Sequence, residues 1–267
     1  MTGAFRFSFI AAAVLMLSAE SFGQYQPWNN PGRAPTASRQ EPAAAGPAPR
    51  RDLTGIWDAG NSGINGTGYP TPPLTPWGEE VGKTHKSGNG IRMVPMAEVN
   101  DPLSTMGDPT GFPRIILYEL RPVQIVQTPD SVLMLYMLEK RWRVIWTDGR
   151  QLPKDPDPRW YGYSVGHWED DYTLVVETIG TDDRTWLDNA GDPHSDQLRV
   201  VERYHRLNQT TLELSVSLDD PKTYTKPWTA RDKLPLRLIP PGTDLMEMIP
   251  SATEAAAYRR SMAEPSK

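Results

Sequence analysis

From residue 122 onward, apolar and polar positions alternate in short runs separated by turn residues. The clearest run is "TLELSVSL", in which Leu212, Leu214, Val216 and Leu218 interleave with Thr211, Glu213, Ser215 and Ser217. A period of two sends successive side chains to opposite faces, so this segment reads as a strand with one buried face and a well-specified register. The same reading yields three hairpins. "VQIVQT" pairs with "SVLMLYML" across Pro129-Asp130 and continues into "RWRVIWTD" across Glu139-Lys140. "YGYSVGHW" pairs with "YTLVVETIG" across Glu169 to Asp171, and "LRVVERYHRL" pairs with "TLELSVSL" across Asn208 to Thr210. Turn residues bounding runs rich in β-branched and aromatic side chains are the signature of such hairpins.

Two of these strands carry an acid on the face that looks buried. Leu198, Val200 and Tyr204 share theirs with Glu202, and Val175 and Ile179 flank Glu177. A carboxylate taken inside without a partner is costly. Either both acids line a polar cavity, or each is paired with an arginine in a core network.

Upstream the pattern changes. Between Asp52 and Pro122, Pro and Gly punctuate the chain, leaving room only for a short helix starting at Thr75-Pro76-Trp77, with Thr75 as cap and Pro76 at the first helical position. Residues 24–51 are Pro- and Ala-rich with almost nothing to bury, which reads as a flexible linker. The first residues place Arg6 before the apolar run Phe7 to Leu17 and the small residues around Ser21 and Gly23. That order is the one of a cleaved signal peptide over residues 1–23, and the run is shorter than the ~20 residues a membrane span needs. Residues 241–267 form a tail with a short helix from Thr253 to Met262, Thr253 acting as cap.

Residues 52–240 are therefore expected to form one all-β domain. A meander of about eight or more antiparallel strands closes most readily into a barrel, which removes exposed edges. The chain has no cysteine, so an exported protein of this kind must rely on its packed core rather than on disulfides. A net charge of −5 without any basic run argues against nucleic acid as a partner.

The first strand, "LTGIWDA", has a Gly-x-Trp at Gly55 to Trp57 that resembles the opening motif of lipocalin-like (calycin-type) barrels. That resemblance implies a Trp packed across a closed end and covered by an arginine from a late strand, for which Arg199, Arg203 and Arg206 are the candidates. The strings "PLTPWG", "DPTGFPR", "RWRVIWTDGRQLPKDPDPRWYGYSVGHWEDDYTLVVETIG" and "DDPKTYTKPWT" resemble a family of uncharacterised secreted proteins from soil bacteria of acidobacterial type. The likeness covers most of Asp52 to Thr229 and implies export and these boundaries, with no activity attached.

Candidate chemistry concentrates in the connection "DDRTWLDNAGDPHSDQLR", which joins two expected strands and so lies at a barrel rim. Its length and its apolar Trp186 and Leu187 read as an ordered lid. His194 is the group there whose ordinary pKa lies near neutrality, with Asp188, Asp192 or Asp196 to orient it and Arg184 or Arg199 to stabilise developing negative charge. Ser195 is adjacent, but neighbouring side chains on an extended segment point apart. The alternative is that His194 and Ser195 hold the turn through backbone hydrogen bonds. Asp192, His194 and Asp196 alternate and could share a face toward a hard cation, yet none of His85, His167, His194 and His205 forms a zinc-type motif. No cofactor or metal follows.

The aromatic residues point to the guest. Trp146, Tyr163 and Trp186, with the polar groups Glu177, Glu202 and Arg199, suit an aromatic, terpenoid or sugar-like small molecule, although many of the tryptophans also suit a core. The resulting reading is a monomeric, periplasmic or secreted barrel that binds a hydrophobic or amphipathic ligand. Its alternative is a cofactor-independent lyase, isomerase or hydrolase using His194 as acid and base.

Overall fold

A computed structural model describes residues 45–63, 70–118, 120–249 and 251–263. The expected signal peptide and residues 24–44 of the expected linker lie outside the described residues.

Nine strands form a closed barrel: β1 Gly55–Asp58, β2 Val123–Gln127, β3 Ser131–Tyr136, β4 Trp142–Trp146, β5 Tyr163–Trp168, β6 Thr173–Ile179, β7 Arg199–Asn208, β8 Thr211–Asp219 and β9 Trp228–Leu238. Each strand pairs with its sequence neighbours, and β9 returns to β1. The three hairpins appear as expected, and Leu212, Leu214, Val216 and Leu218 all point into the core.

Two features depart from the simple meander. β4 and β5 run parallel, joined through only Ile145↔Ser164 and Trp146↔Val165. A parallel pair needs a crossover, and residues 147–162 supply one by carrying the chain from one end of the barrel back to the other. The second is β9, which alternation does not announce. Lys233 adopts φ 50°, and register shifts between Leu214 and Ser217 re-phase the strand so that Leu234 and Leu236 face inward beside the ladder-breaking Pro235.

One end is closed by Trp57, fully buried, whose indole N–H donates to the Leu53 carbonyl at 2.8 Å. Of the three candidate arginines, Arg206 covers this ring, with its guanidinium carbon 4.4 Å from the ring centroid and its donors on the carbonyls of Asp52, Asn208 and Gln209. Arg199 and Arg203 point outward, where they pair with Glu177 and Glu169.

The other end is filled by chain from before β2. After a short helix, α1 Pro76–Thr84, capped by Thr75 as expected, come α2 Pro102–Met106 and α3 Arg114–Leu117. Phe112, Ile115, Ile116 and Leu117 are buried in the same cluster as the inward residues of the barrel. A one-turn helix leaves its carbonyls unsatisfied, and Arg231 of β9 donates to those of Ile116 and Leu117. Arg114 makes a buried two-pronged pair with Asp101 at 2.8 and 2.7 Å, and Thr110 donates twice to Glu139. Gly111, at φ 72°, passes so close to the lid that an added Cβ would lie 2.3 Å from Thr185.

Glu202 does point inward, and its partner is Arg143, three strands away in the order β4 to β7. Arg143 spreads its remaining donors over Ser164 Oγ at 2.8 Å and Thr178 Oγ1 at 2.7 Å, while the Tyr204 hydroxyl donates to Glu202 at 2.6 Å. Phe112 packs on the guanidinium, 4.0 Å from ring centroid to carbon. Burial by itself lowers the Arg143 pKa, but the Glu202 carboxylate outweighs it and the net direction is upward. The inside of the barrel is thus a packed core around a satisfied ion pair.

The folded body starts earlier than Asp52. The carbonyl of Gly46 accepts from Gln209 N at 2.9 Å and Arg51 N donates to the Asp171 carbonyl at 2.6 Å, so the end of the expected linker is held by two hairpin turns. The tail forms α4, Ala252–Ala263. Its cap is Ser251 rather than Thr253, because Ser251 Oγ accepts from Glu254 N at 3.1 Å and donates back to the Glu254 carboxylate. Among the described residues, no helix is long and apolar enough to cross a membrane.

Candidate functional site

The parallel seam leaves the barrel wall incomplete. β4 extends past its last partner at one end and β5 at the other, and the crossover 147–162 lies over the gap. The result is an outward-facing cleft of about 540 Å³, between Trp142, Val144 and Trp146 of β4, Tyr163 and Val165 of β5, and Arg150 to Pro153 and Arg159 of the crossover. A neighbouring lobe of about 390 Å³ continues past Arg150 and Leu152 to His167, Glu177 and Arg199.

Strand alternation explains why these residues meet outside. Arg143 and Ile145 are buried inside, so Trp142, Val144 and Trp146 must face out. Two rings in the cleft each carry a guanidinium. Arg150 lies over Trp146, 3.6 Å from its centroid, and Arg159 lies over Tyr163 at 4.0 Å. Arg150 is already neutralised by Asp148, with donors at 3.0 and 2.6 Å, and this hydrogen bonding holds the Asp148 carboxyl below its usual range. At the inner end Tyr161 donates to Glu139 at 2.6 Å, and burial followed by the Glu139 charge raises its phenol well above the ordinary value. Arg143 and Ser164, members of the interior network, also line this cleft.

Trp146 and Tyr163 therefore lie together, and Glu177 and Arg199 sit in the adjoining lobe as an ion pair. Glu177 faces outward, not inward as expected. Its strand is apolar on both faces, Leu174 and Val176 on one and Val175 and Ile179 on the other, so alternation alone cannot choose, and the pairing Val176↔Glu202 puts the first pair inside. Glu202 belongs to the interior network and not to a cavity-lining pair with Glu177. Arg143, Arg150 and Arg159 join the site without having been singled out from the sequence. Alternation in "RWRVIW" points the other way, because Trp142, Val144 and Trp146 make the more apolar face, and it is the pairing with Glu202 that accounts for the inward Arg143.

The lid is ordered and buried as expected, but its polar groups are spent on holding it. His194 Nδ1 lies 3.3 Å from the Ser195 carbonyl and Nε2 lies 2.8 Å from the Thr185 hydroxyl, which also donates to the Asp182 carbonyl at 2.9 Å. Burial lowers the pKa of this ring. Ser195 donates from both N and Oγ to Asp220, at 2.7 and 2.6 Å. Asp188 accepts from the backbone N–H groups of Ala190 and Asp192 at 2.9 and 3.3 Å. Arg184 lies on the surface, paired with Asp182 and stacked over Trp160 at 4.5 Å. None of these hydrogen bonds or ion pairs joins His194 directly to Asp188 or to Arg184. Asp192, His194 and Asp196 diverge as well, toward Arg92, Thr185 and Lys222, since the segment is a folded turn and not an extended strand.

A second segment fastens this lid. His85 donates from Nδ1 to the Gly191 carbonyl at 2.9 Å and stacks on Trp186 with centroids 4.8 Å apart, and Ser87 donates to the Asn189 carbonyl at 2.6 Å. Arg92 pairs with Asp192. Burial, and after it the Asp188 charge, push the Asp192 carboxyl up to about 7 from an ordinary value of 3.8. A carboxyl with a raised folded-state pKa contributes stability that is complete below its unfolded value and is lost as pH rises through the folded one. Asp188→Asn keeps the oxygen that caps Ala190 and Asp192 but removes the charge. Urea unfolding at pH 5 and pH 8 is expected to show wild type losing on the order of 1–2 kcal/mol more than this variant over that interval. Comparing the two proteins cancels the contributions of His85 and His194, which run the opposite way. Equal pH dependence in both would refute the coupling.

Comparison with protein-family models, with curated proteins and with solved structures returns no match to this chain.

Proposed function

We propose that this protein binds a small planar, amphipathic molecule, and that it takes it up in the seam cleft on the barrel wall. The observation carrying this reading is the pairing of two aromatic rings with two guanidinium plates, Trp146 with Arg150 and Tyr163 with Arg159, around one cleft of about 540 Å³. Volumes of roughly 300–1,000 Å³ with few, placed polar groups suit a small organic guest. The core supports the same location, because Trp57, Phe112 and the Arg143–Glu202 pair fill the space in which a lumen ligand would sit. Export to the periplasm or the medium belongs to the proposal and rests on the basic, apolar, small-residue order of residues 1–23. The closed barrel with Gly55, Trp57 and Arg206 in a lipocalin-like arrangement fits a carrier role.

The test uses a neutral planar probe, 2-naphthamide, titrated by calorimetry and by quenching of tryptophan fluorescence. Wild type is expected to bind it, and Trp146→Ala to bind it about three- to tenfold more weakly, the range that one aromatic contact contributes. Unchanged affinity in Trp146→Ala would move the site elsewhere.

A further inference from the structure

Four arginines line the cleft and its lobe, and three of them are already matched. Arg143 pairs with Glu202, Arg150 with Asp148 and Arg199 with Glu177. Arg159 is the exception, since among the described residues no carboxylate lies within ion-pair distance of it. Asp155 and Asp157 precede it in the crossover, but both are exposed and neither bridges to it.

This cation is nonetheless well placed. Its backbone is pinned to the end of β6: Arg159 N donates to the Gly180 carbonyl at 3.0 Å and its own carbonyl accepts from Asp182 N at 3.0 Å. Its guanidinium carbon lies 4.0 Å from the centroid of the Tyr163 ring. An arginine held by backbone anchors and a ring face has lost much of its freedom before any ligand arrives, so less is lost on binding. Arg150 also lines the cleft, its charge paired with Asp148 and its side chain 45% exposed beside Trp146, so its planar group is available for stacking. One group reads charge and the other reads flatness.

From this asymmetry we infer that the cleft selects planar monoanions, specifically aryl carboxylates, with the carboxylate on the fork of Arg159 and the ring stacked beside Arg150 and Trp146. The inference rests on the seam cleft being the binding site. It adds a ligand class and a residue that determines it. A carboxylate matches the paired N–H donors of a guanidinium in one plane, which a neutral amide of the same shape does not.

The experiment compares 2-naphthoate with its neutral isostere 2-naphthamide by calorimetry at pH 7.5, in low salt and in 0.5 M salt. Wild type is expected to prefer naphthoate by about tenfold at low salt, and the preference is expected to shrink with salt because the cation is exposed. Arg159→Gln is expected to bring the two affinities within about twofold of each other, while Arg159→Lys, which keeps the charge without the fork, retains part of the preference. Arg203→Gln removes the same charge from the outer wall away from the cleft and is expected to leave the preference intact. Equal binding of the two probes by wild type would overturn the ligand class while leaving the cleft in place. A preference that survives Arg159→Gln would overturn the role of this arginine. Binding of neither probe would sink both the cleft reading and the class drawn from it.

Discussion

Arg143→Leu is expected to destabilise the protein by about 3–5 kcal/mol, the cost of leaving one member of a buried ion pair without the other. Both side chains are almost wholly inside, Arg143 at 2% and Glu202 at 0% exposure. Removing the guanidinium strips Glu202 of two hydrogen bonds and leaves Tyr204 as its donor, while Ser164 and Thr178, 2.9 Å apart, can still satisfy each other. The stranded carboxylate can escape only by taking up a proton. The damage is therefore expected to be smaller at pH 5, where a proton is more available, and larger at pH 8. Urea unfolding at both pH values measures this. The double variant Arg143→Leu with Glu202→Leu is expected to regain most of the loss, because an apolar pair avoids the desolvation cost that the ions carry. A single variant within about 1 kcal/mol of wild type would mean that water reaches Glu202 and that the barrel is not closed around the pair.

Phe112→Ala is expected to cost a similar amount, about 3–5 kcal/mol, for a different reason. Phe112 is fully buried where the chain before β2 enters the end of the barrel, and its ring covers the Arg143 guanidinium. Truncation removes the apolar contact and opens a void that its neighbours cannot close. Arg231 holds the following turn by the carbonyls of Ile116 and Leu117, and the Arg114–Asp101 pair holds its base. Phe112→Leu, which fills part of the space, is expected to lose less than half as much. Equal losses for Leu and Ala would show that the flat ring on the guanidinium matters more than the volume it fills. A loss below about 1 kcal/mol for Ala would show that this end of the barrel can collapse.

The two cases also separate what a local pattern carries from what folding adds. Alternation in "LRVVERYHRL" and "TLELSVSL" was enough to place Glu202 and Tyr204 on the buried face, because a period of two leaves one choice when only one face is apolar. It was not enough for Glu177, whose strand is apolar on both faces. The Gly55 to Trp57 motif located the closed end, and the later strands limited its covering arginine to three, but only the turn at Asn208 and Gln209 brought Arg206 over the ring. In the lid, the sequence carried order and burial through Trp186 and Leu187, while the chemistry of His194 depended on which atoms lay within reach of its ring.

The sequence by itself thus determined an all-β chain, its hairpins, the buried faces of β7 and β8 and an acid that needed a partner inside, all properties set by neighbours a few residues apart. The identity of that partner, 59 positions away, was decided only by closure of the barrel. So was the cleft. Residues 147–162 form a connection whose direction is not encoded in any short pattern, and folding it back along the outside made β4 and β5 parallel. A parallel seam with two paired residues leaves a gap, and that gap gathers Trp146, Arg150, Arg159 and Tyr163. Contacts between residues far apart in the chain are fixed by topology, and a period of two along one strand carries no information about them.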